Sequence, residues 1–273
     1  MLIDFHTHIF PEKIAERAIA SLEENLLLHS KDKSRAYAHT RGTLNELKNA
    51  MKASGVDVSV VMPIATTLTQ SESINRFASE INGHEGVYSF GSVHPLEDNL
   101  EEKLEKIKAM GLKGIKLHPE YQGFYINSPE GINILKIAEK LELFTMLHAG
   151  RDLGMPEPMH CSPEQLKDAL NYVSGKFIIA AHMGGYQMGE RILEHLAGTE
   201  IFIDTSYYLP EMDKDLALKI IRTHGADKVL FASDSPWAKA EDILKSLIEL
   251  GLSDDEFQKI TYKNAMKILD LES

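Results

Sequence analysis

The sequence predicts an α/β protein, a (β/α)8 TIM barrel built as a single domain over residues 1–273. Three observations carry that prediction. Short runs rich in Val, Ile and Phe alternate with longer amphipathic stretches, the pattern of βα units around a parallel sheet. Eight such runs can be counted, which is the number that completes a barrel. The rival, a doubly wound open sheet, normally places a Gly-rich phosphate turn after its first strand, and here that position reads "HTHIFP".

In chain order the expected strands are "LIDFH" at 2–6, "VDVSVVMPI" at 56–64, "VYSFGSVHP" at 87–95 and "GIKLHP" at 114–119. "LFTMLHAG" at 143–150, "KFIIAAHMGG" at 176–185, "IFIDTSYY" at 201–208 and "KVLFASDSPW" at 228–237 complete the set. Helical spacing fills the gaps, for example "LEEKLEKIKAM" from Leu100, "GINILKIAEKLE" from Gly131 and "MDKDLALKIIRTHG" from Met212. Ser128-Pro129-Glu130 and Ser162-Pro163-Glu164 each read as an N-cap followed by a first-turn proline. Gly55, Gly111 and Gly225 stand where helices end. Two stretches are too long for minimal connections, 30–42 "SKDKSRAYAHTRG" and the excursion "GRDLGMPEPMHCSPEQ" from Gly150. Long loops of this kind form lids or binding loops, and both are expected on one rim.

A chain of 273 residues that is 43% hydrophobic can bury a large core. Its formal charge of −12 argues against a nucleic-acid partner, because such affinity rests on neutralising phosphates with Lys and Arg. The lone Cys161 precludes an intrachain disulfide and fits a reducing compartment; it is read as incidental. No secretory-type start and no run long enough to span a bilayer is found, so a cytoplasmic protein without membrane partners is expected.

In a barrel, chemistry gathers where the strands end. Those ends hold His6 and His8, then His94, Lys116 with His118, His148, His182 and Asp234. Half of the 12 histidines therefore fall on a small part of the chain. A lone His-x-His pair is ordinarily only an edge-of-strand pair. With a third imidazole at His148 and a carboxylate at Asp234, brought beside the first strand by barrel closure, the set suits a divalent metal. His182 is either a further ligand or a group acting on the substrate. Asp4 shares the parity of His6 and is expected to orient it. Asp234 also precedes Ser235-Pro236, where an Asp can simply cap the next helix.

"DFHTHIFPE", "LHAG", "AHMGG" and "FASDSPW", in this order along the whole chain, resemble the amidohydrolase superfamily. They are most similar to the branch that also contains aminocarboxymuconate-semialdehyde decarboxylase. The resemblance implies His6, His8, His148 and Asp234 as metal ligands, with zinc first among the divalent metals. It implies His182 and Asp234 as catalytic groups, His182 polarising or protonating the substrate and Asp234 taking a proton from the metal-activated water. Many two-metal members carry a carboxylated Lys or a Glu on the fourth strand, where Lys116 lies. One ion is favoured here, two being the alternative, with Lys116 or His118 contacting substrate. His94, Arg151 and Trp237 are the remaining substrate-binding candidates, Arg151 as a bidentate clamp for a carboxylate and Trp237, with Tyr121, as pocket wall.

The expected function is metal-dependent hydrolysis of a small amide, ester or lactone bearing a carboxylate. The alternative is non-oxidative decarboxylation of an aromatic or unsaturated carboxylic acid at the same site. A metal-dependent deoxyribonuclease is a third reading, disfavoured by the acidic balance. The expected partner is a small-molecule substrate, and a homodimer paired through outer helices is compatible with the sequence.

Overall fold

The computed structural model describes residues 1–271, so the last two residues of the expected domain, 272–273, lie outside the described residues. Eight strands follow in order: β1 (Ile3–Thr7), β2 (Val58–Val61), β3 (Val87–Ser89), β4 (Gly114–Leu117), β5 (Phe144–Leu147), β6 (Ile178–Ala180), β7 (Phe202–Asp204) and β8 (Val229–Leu230). Helices α1 (Glu12–His29) and α2 (Leu44–Ser54) follow β1, α3 (Ser71–Ile81) follows β2, and α4 (Leu100–Ala109) follows β3. After β4 come α5 (Pro119–Gln122) and α6 (Pro129–Lys140), and after β5 comes α7 (Pro163–Ala169). β6, β7 and β8 are followed by α8 (Glu190–His195), α9 (Lys214–His224) and α10 (Ala240–Glu249). A short helix at Asp254–Gln258 and a last one at Asn264–Leu269 end the described chain. None of these helices is long and apolar enough to cross a membrane.

All strand pairings are parallel, and neighbours in space are neighbours in sequence. β1–β3 form one ladder and β4–β8 another. Isolated bridges join the two, Gly91 with Ile115 on one side and Thr7 with Ser235 on the other. At this second seam Phe5 N–H donates to the Phe231 carbonyl at 2.9 Å and Asp234 N–H to the His6 carbonyl at 2.8 Å. The eighth strand therefore lies against the first, as the TIM-barrel reading requires.

Ile3, Phe5, Val60, Phe90, Met146, Ile179 and Leu230 supply the inner core, drawn from strands all around the ring. Phe5 and Phe90 meet edge to face at 5.7 Å. The opposite faces of the strands, through Val61, Ile115, Leu147 and Ile203, pack on the apolar stripes of the helices, such as Leu104, Ile107, Ile220 and Leu247. The expected caps form: Ser128 accepts from Gly131 N–H, and Ser162 makes a capping box with Gln165. Asp234 is not a cap, since α10 starts only at Ala240, after Lys239.

One irregularity places the site. Simple alternation from the inward Ile3 and Phe5 sends His6 outward. The β1–β2 register instead shifts between Asp4 and Thr7, a bulge-like irregularity. The His6 N–H then bonds the Asp4 carboxylate at 3.3 Å, and the His6 ring turns inward. Asp4 therefore does not orient the imidazole as the sequence suggested. It holds backbone instead, also accepting from Ser233 N–H at 2.8 Å and Ser233 Oγ at 2.5 Å.

Candidate active site

His6, His8 and Asp234 converge at the barrel mouth. The Nε2 atoms of His6 and His8 stand 3.1 Å apart, and Asp234 Oδ1 lies 3.5 Å and 3.2 Å from them. Both rings are fixed from behind. His6 Nδ1 donates to Asp204 Oδ2 at 2.9 Å, and His8 Nδ1 to the Met62 carbonyl at 2.8 Å. With each N–H committed there, the two Nε2 atoms face each other as lone pairs beside a carboxylate oxygen. Converging acceptors repel unless a cation lies among them; Lys116 Nζ, 3.0 Å from His6 Nε2, meets part of that need, and imidazole nitrogen with carboxylate oxygen is the donor set of a divalent metal. Asp234 sits at φ +72°, a left-handed conformation that an Asp rarely adopts, so the fold holds it in place against local preference.

Lys116, fully buried on β4, reaches the same point, with Nζ 3.0 Å from His6 Nε2. Burial pulls its pKa down to about 8, towards the neutral amine. Burial, with Lys116 next, keeps the His6 pKa well below its usual value, so His6 is the neutral form a metal needs.

His148 is not in this trio. Its Nδ1 faces His182 Nε2 at 3.1 Å, and its ring stacks on His118 with centroids 4.2 Å apart. His148, His118 and Asp152 form a second group of possible ligands. His182 leaves β6 at φ +59° and has its Nδ1 against Ser206, 3.2 Å from the carbonyl and 3.0 Å from Oγ. The Ser206 hydroxyl hydrogen goes to Asp204 Oδ1 at 2.6 Å, so His182 Nδ1 is the donor and Nε2 the acceptor. The His148 Nδ1–H then supplies that bond.

Of the substrate-binding candidates, Lys116 and His118 are central. Trp237 lines a cavity of about 450 Å³ with Arg35, Tyr207 and Glu211, and its backbone N–H donates to the Asp234 carbonyl at 2.9 Å. Tyr121 stacks on His118 at 3.9 Å. Arg151 is half-buried just beyond His148, its N–H bonded to the Tyr186 carbonyl. His94 serves a local turn: its N–H bonds Glu97 and its Nδ1 accepts from Leu96 N–H.

Three residues escaped the sequence reading. Asp204 closes β7 and holds His6, His182 N–H and Ser206 at once. Its position at the end of "IFID" was the available signal. Asp152 lies in the loop after His148 and approaches His118 Nε2 at 3.1 Å. Arg35, in the 30–42 insertion, pairs with Glu211, donates to Tyr186 Oη at 3.0 Å and stands 4.3 Å over the Tyr207 ring. The insertion thus packs on the loops beside His182, on the rim where it was expected.

A family model described as Amidohydrolase matches residues 3–271. The chain belongs to the amidohydrolase family. Its resemblance to that superfamily at the His-x-His, His148, His182 and Asp234 motifs is therefore matched by the whole chain. No curated protein matches this amidohydrolase in sequence. Among solved structures it is similar to 2,6-dihydroxybenzoate decarboxylase from Rhizobium, at 14% identity and a TM-score of 0.69, over 100% of this chain and 99% of that one. A putative 2-pyrone-4,6-dicarboxylic acid hydrolase from Pseudomonas putida is 15% identical with a TM-score of 0.66, over 100% and 98%. A putative amidohydrolase from Staphylococcus aureus is 19% identical with a TM-score of 0.71, over 99% of both chains. Such identities establish a shared barrel and leave the reaction to the site itself.

Proposed function

We propose that this amidohydrolase is a metal-dependent hydrolase of a small amide, ester or lactone that carries a carboxylate. The observation that carries the reading is the convergence of His6 Nε2, His8 Nε2 and Asp234 Oδ1 within 3.5 Å of one another, which fits a divalent ion, zinc first by its nitrogen and oxygen donors. An ion held there supplies Lewis acidity to a substrate carbonyl and lowers the pKa of a neighbouring water.

The chain's own groups do the rest. Asp234 turns Oδ1 to the trio, which leaves Oδ2 to accept a proton from the attacking water and pass it to the leaving group. His182 presents Nε2 as an acceptor, so it takes up a proton before it can donate one; it is a carrier and not a ready-made acid. Lys116 competes with the ion for the His6 lone pair. Once displaced, its amine is the nearest cationic group for a substrate carboxylate or a developing oxyanion.

The second reading keeps these residues and makes the reaction a non-oxidative decarboxylation, with the proton delivered to carbon. It is supported by the 2,6-dihydroxybenzoate decarboxylase among the similar structures. Elemental analysis of the purified protein before and after chelation tests the shared part: bound metal and metal-dependent turnover are expected, and their absence sinks both readings. Incubation with 2-pyrone-4,6-dicarboxylate and with 2,6-dihydroxybenzoate separates them, through ring-opened product or released CO2.

A further inference from the structure

A cavity of about 130 Å³ lies behind the seam of β1 and β8, on the helix side of the barrel wall and away from its mouth. Ile3, Phe5 and Val60 fill the barrel interior, so Asp4 and Ser59 point the other way, under α2. The two are register partners on adjacent strands. Both are buried, Asp4 at 3% and Ser59 at 1% exposure. The Ser59 hydroxyl is one of four buried side-chain atoms without a hydrogen-bond partner among the described residues. Asp4 is bonded by His6 N–H and Ser233 N–H at Oδ1 and by Ser233 Oγ at Oδ2, all neutral donors. A buried carboxylate is ordinarily matched by a cation, and none of these donors is one.

The space exists because the elements above it carry small side chains, Ala50 and Ala53 on α2 and Ala238 and Ala240 around the start of α10. Leu47, Met51 and Val56 give it a buried apolar wall. Lys239 and Glu241, exposed and opposite in sign, stand on its solvent side with His39.

We propose that this cavity binds a short primary alkylammonium ion, its –NH3+ group between Asp4 and Ser59 and its alkyl stem against Leu47, Met51 and Val56. An ammonium carries three donors. One meets the lone pair of Asp4 Oδ2 that Ser233 leaves free, a second meets Ser59 Oγ, and the third turns to water at the open side. The one ligand thus supplies both the charge that Asp4 lacks and the partner that Ser59 lacks. An inorganic cation needs a shell of oxygens, which the apolar wall denies it. A neutral alcohol brings no charge. At ~30 Å³ for each water-sized unit the cavity takes about four heavy atoms, the size of propylammonium.

The test is a ligand-observed NMR titration of the full-length protein with propylammonium chloride, in competition with 1-propanol and with potassium chloride at matched ionic strength. Saturable binding in the millimolar range is expected, as suits so small a ligand, with neither competitor displacing it. Ser59→Ala is expected to weaken it by at least about fivefold, the worth of one hydrogen bond. Ala50→Leu fills the cavity and is expected to abolish it. Ser59→Ala removes a hydroxyl that has no partner and is expected to fold as wild type does, which keeps the test decisive should the bulkier variant fail to fold; thermal melting checks both. No saturable binding to wild type overturns the proposal. Displacement by potassium or by 1-propanol at equal concentration overturns it, since charge or apolar contact alone then accounts for binding. An affinity unchanged in either folded variant overturns it as well, by placing the amine elsewhere.

Discussion

His6 Nδ1 donates to Asp204 Oδ2 at 2.9 Å, joining residues 198 positions apart in a fully buried bond. This contact decides which His6 nitrogen faces the barrel mouth. Asp204 also accepts from His182 N–H at 2.8 Å, so one carboxylate sets the ring of the proposed metal ligand His6 and the backbone of the proposed proton carrier His182. Removing its charge leaves both loosely held. Asp204→Asn is expected to weaken metal binding by about 10–100-fold, the usual effect of losing an orienting partner. Competition against a chromophoric chelator reads the change; an affinity equal to wild type contradicts the assigned role.

Lys116 and a divalent ion want the same lone pair on His6. Lys116→Met removes the competitor and is expected to tighten metal binding at pH 7 by roughly tenfold, while turnover of a carboxylate substrate falls. The same chelator competition gives the affinity. A loss of metal on this substitution means that Lys116 is itself a ligand.

Glu120 couples stability to pH. Burial raises its pKa from 4.5 to about 7, and it accepts from His160 N–H through Oε1 at 2.9 Å. A carboxyl whose pKa is higher folded than unfolded adds stability that is complete below pH 4.5 and is lost as pH rises through about 7. Glu120→Gln keeps the acceptor and removes the titration. The metal-free variant is expected to match wild type near pH 4.5 and to exceed it at pH 8 by on the order of 2 kcal/mol. Urea melts at the two pH values check this, and equal differences at both contradict it.

Gly150 tests the rim. It lies at φ +84°, and a Cβ there would stand 2.2 Å from the Tyr186 backbone nitrogen. Its bridge to Tyr186 ties the loop after β5 to the one after β6, next to His148 and His182. Gly150→Ala is expected to cost about 2–4 kcal/mol through strain and clash, and to lower kcat more than overall helix content. Thermal melting with circular dichroism separates the two effects.

Much of this was legible in the chain. His6, His8, Lys116, His148, His182 and Asp234 could be found because a strand end is marked by its apolar run and the turn that follows. Asp204 shares that position, but its role comes from contacts with distant residues, which no local pattern encodes. Asp152 and Arg35 lie in irregular segments, where neither period 2 nor period 3.6 tells which way a side chain faces.

The sequence by itself determined the eight βα units, the helix caps and the set of residues delivered to one end of the barrel, since these follow from local periodicity and turn chemistry. Only the tertiary structure decided how that set divides. The register shift after Asp4 turned His6 inward. Asp204, the Met62 carbonyl and Ser206 assigned each ring its donor nitrogen. His148 was thereby placed beside His182, His118 and Asp152 and not beside His6 and His8. Each imidazole has two nitrogens and one hydrogen, and which nitrogen keeps it is settled by partners that only folding brings within reach.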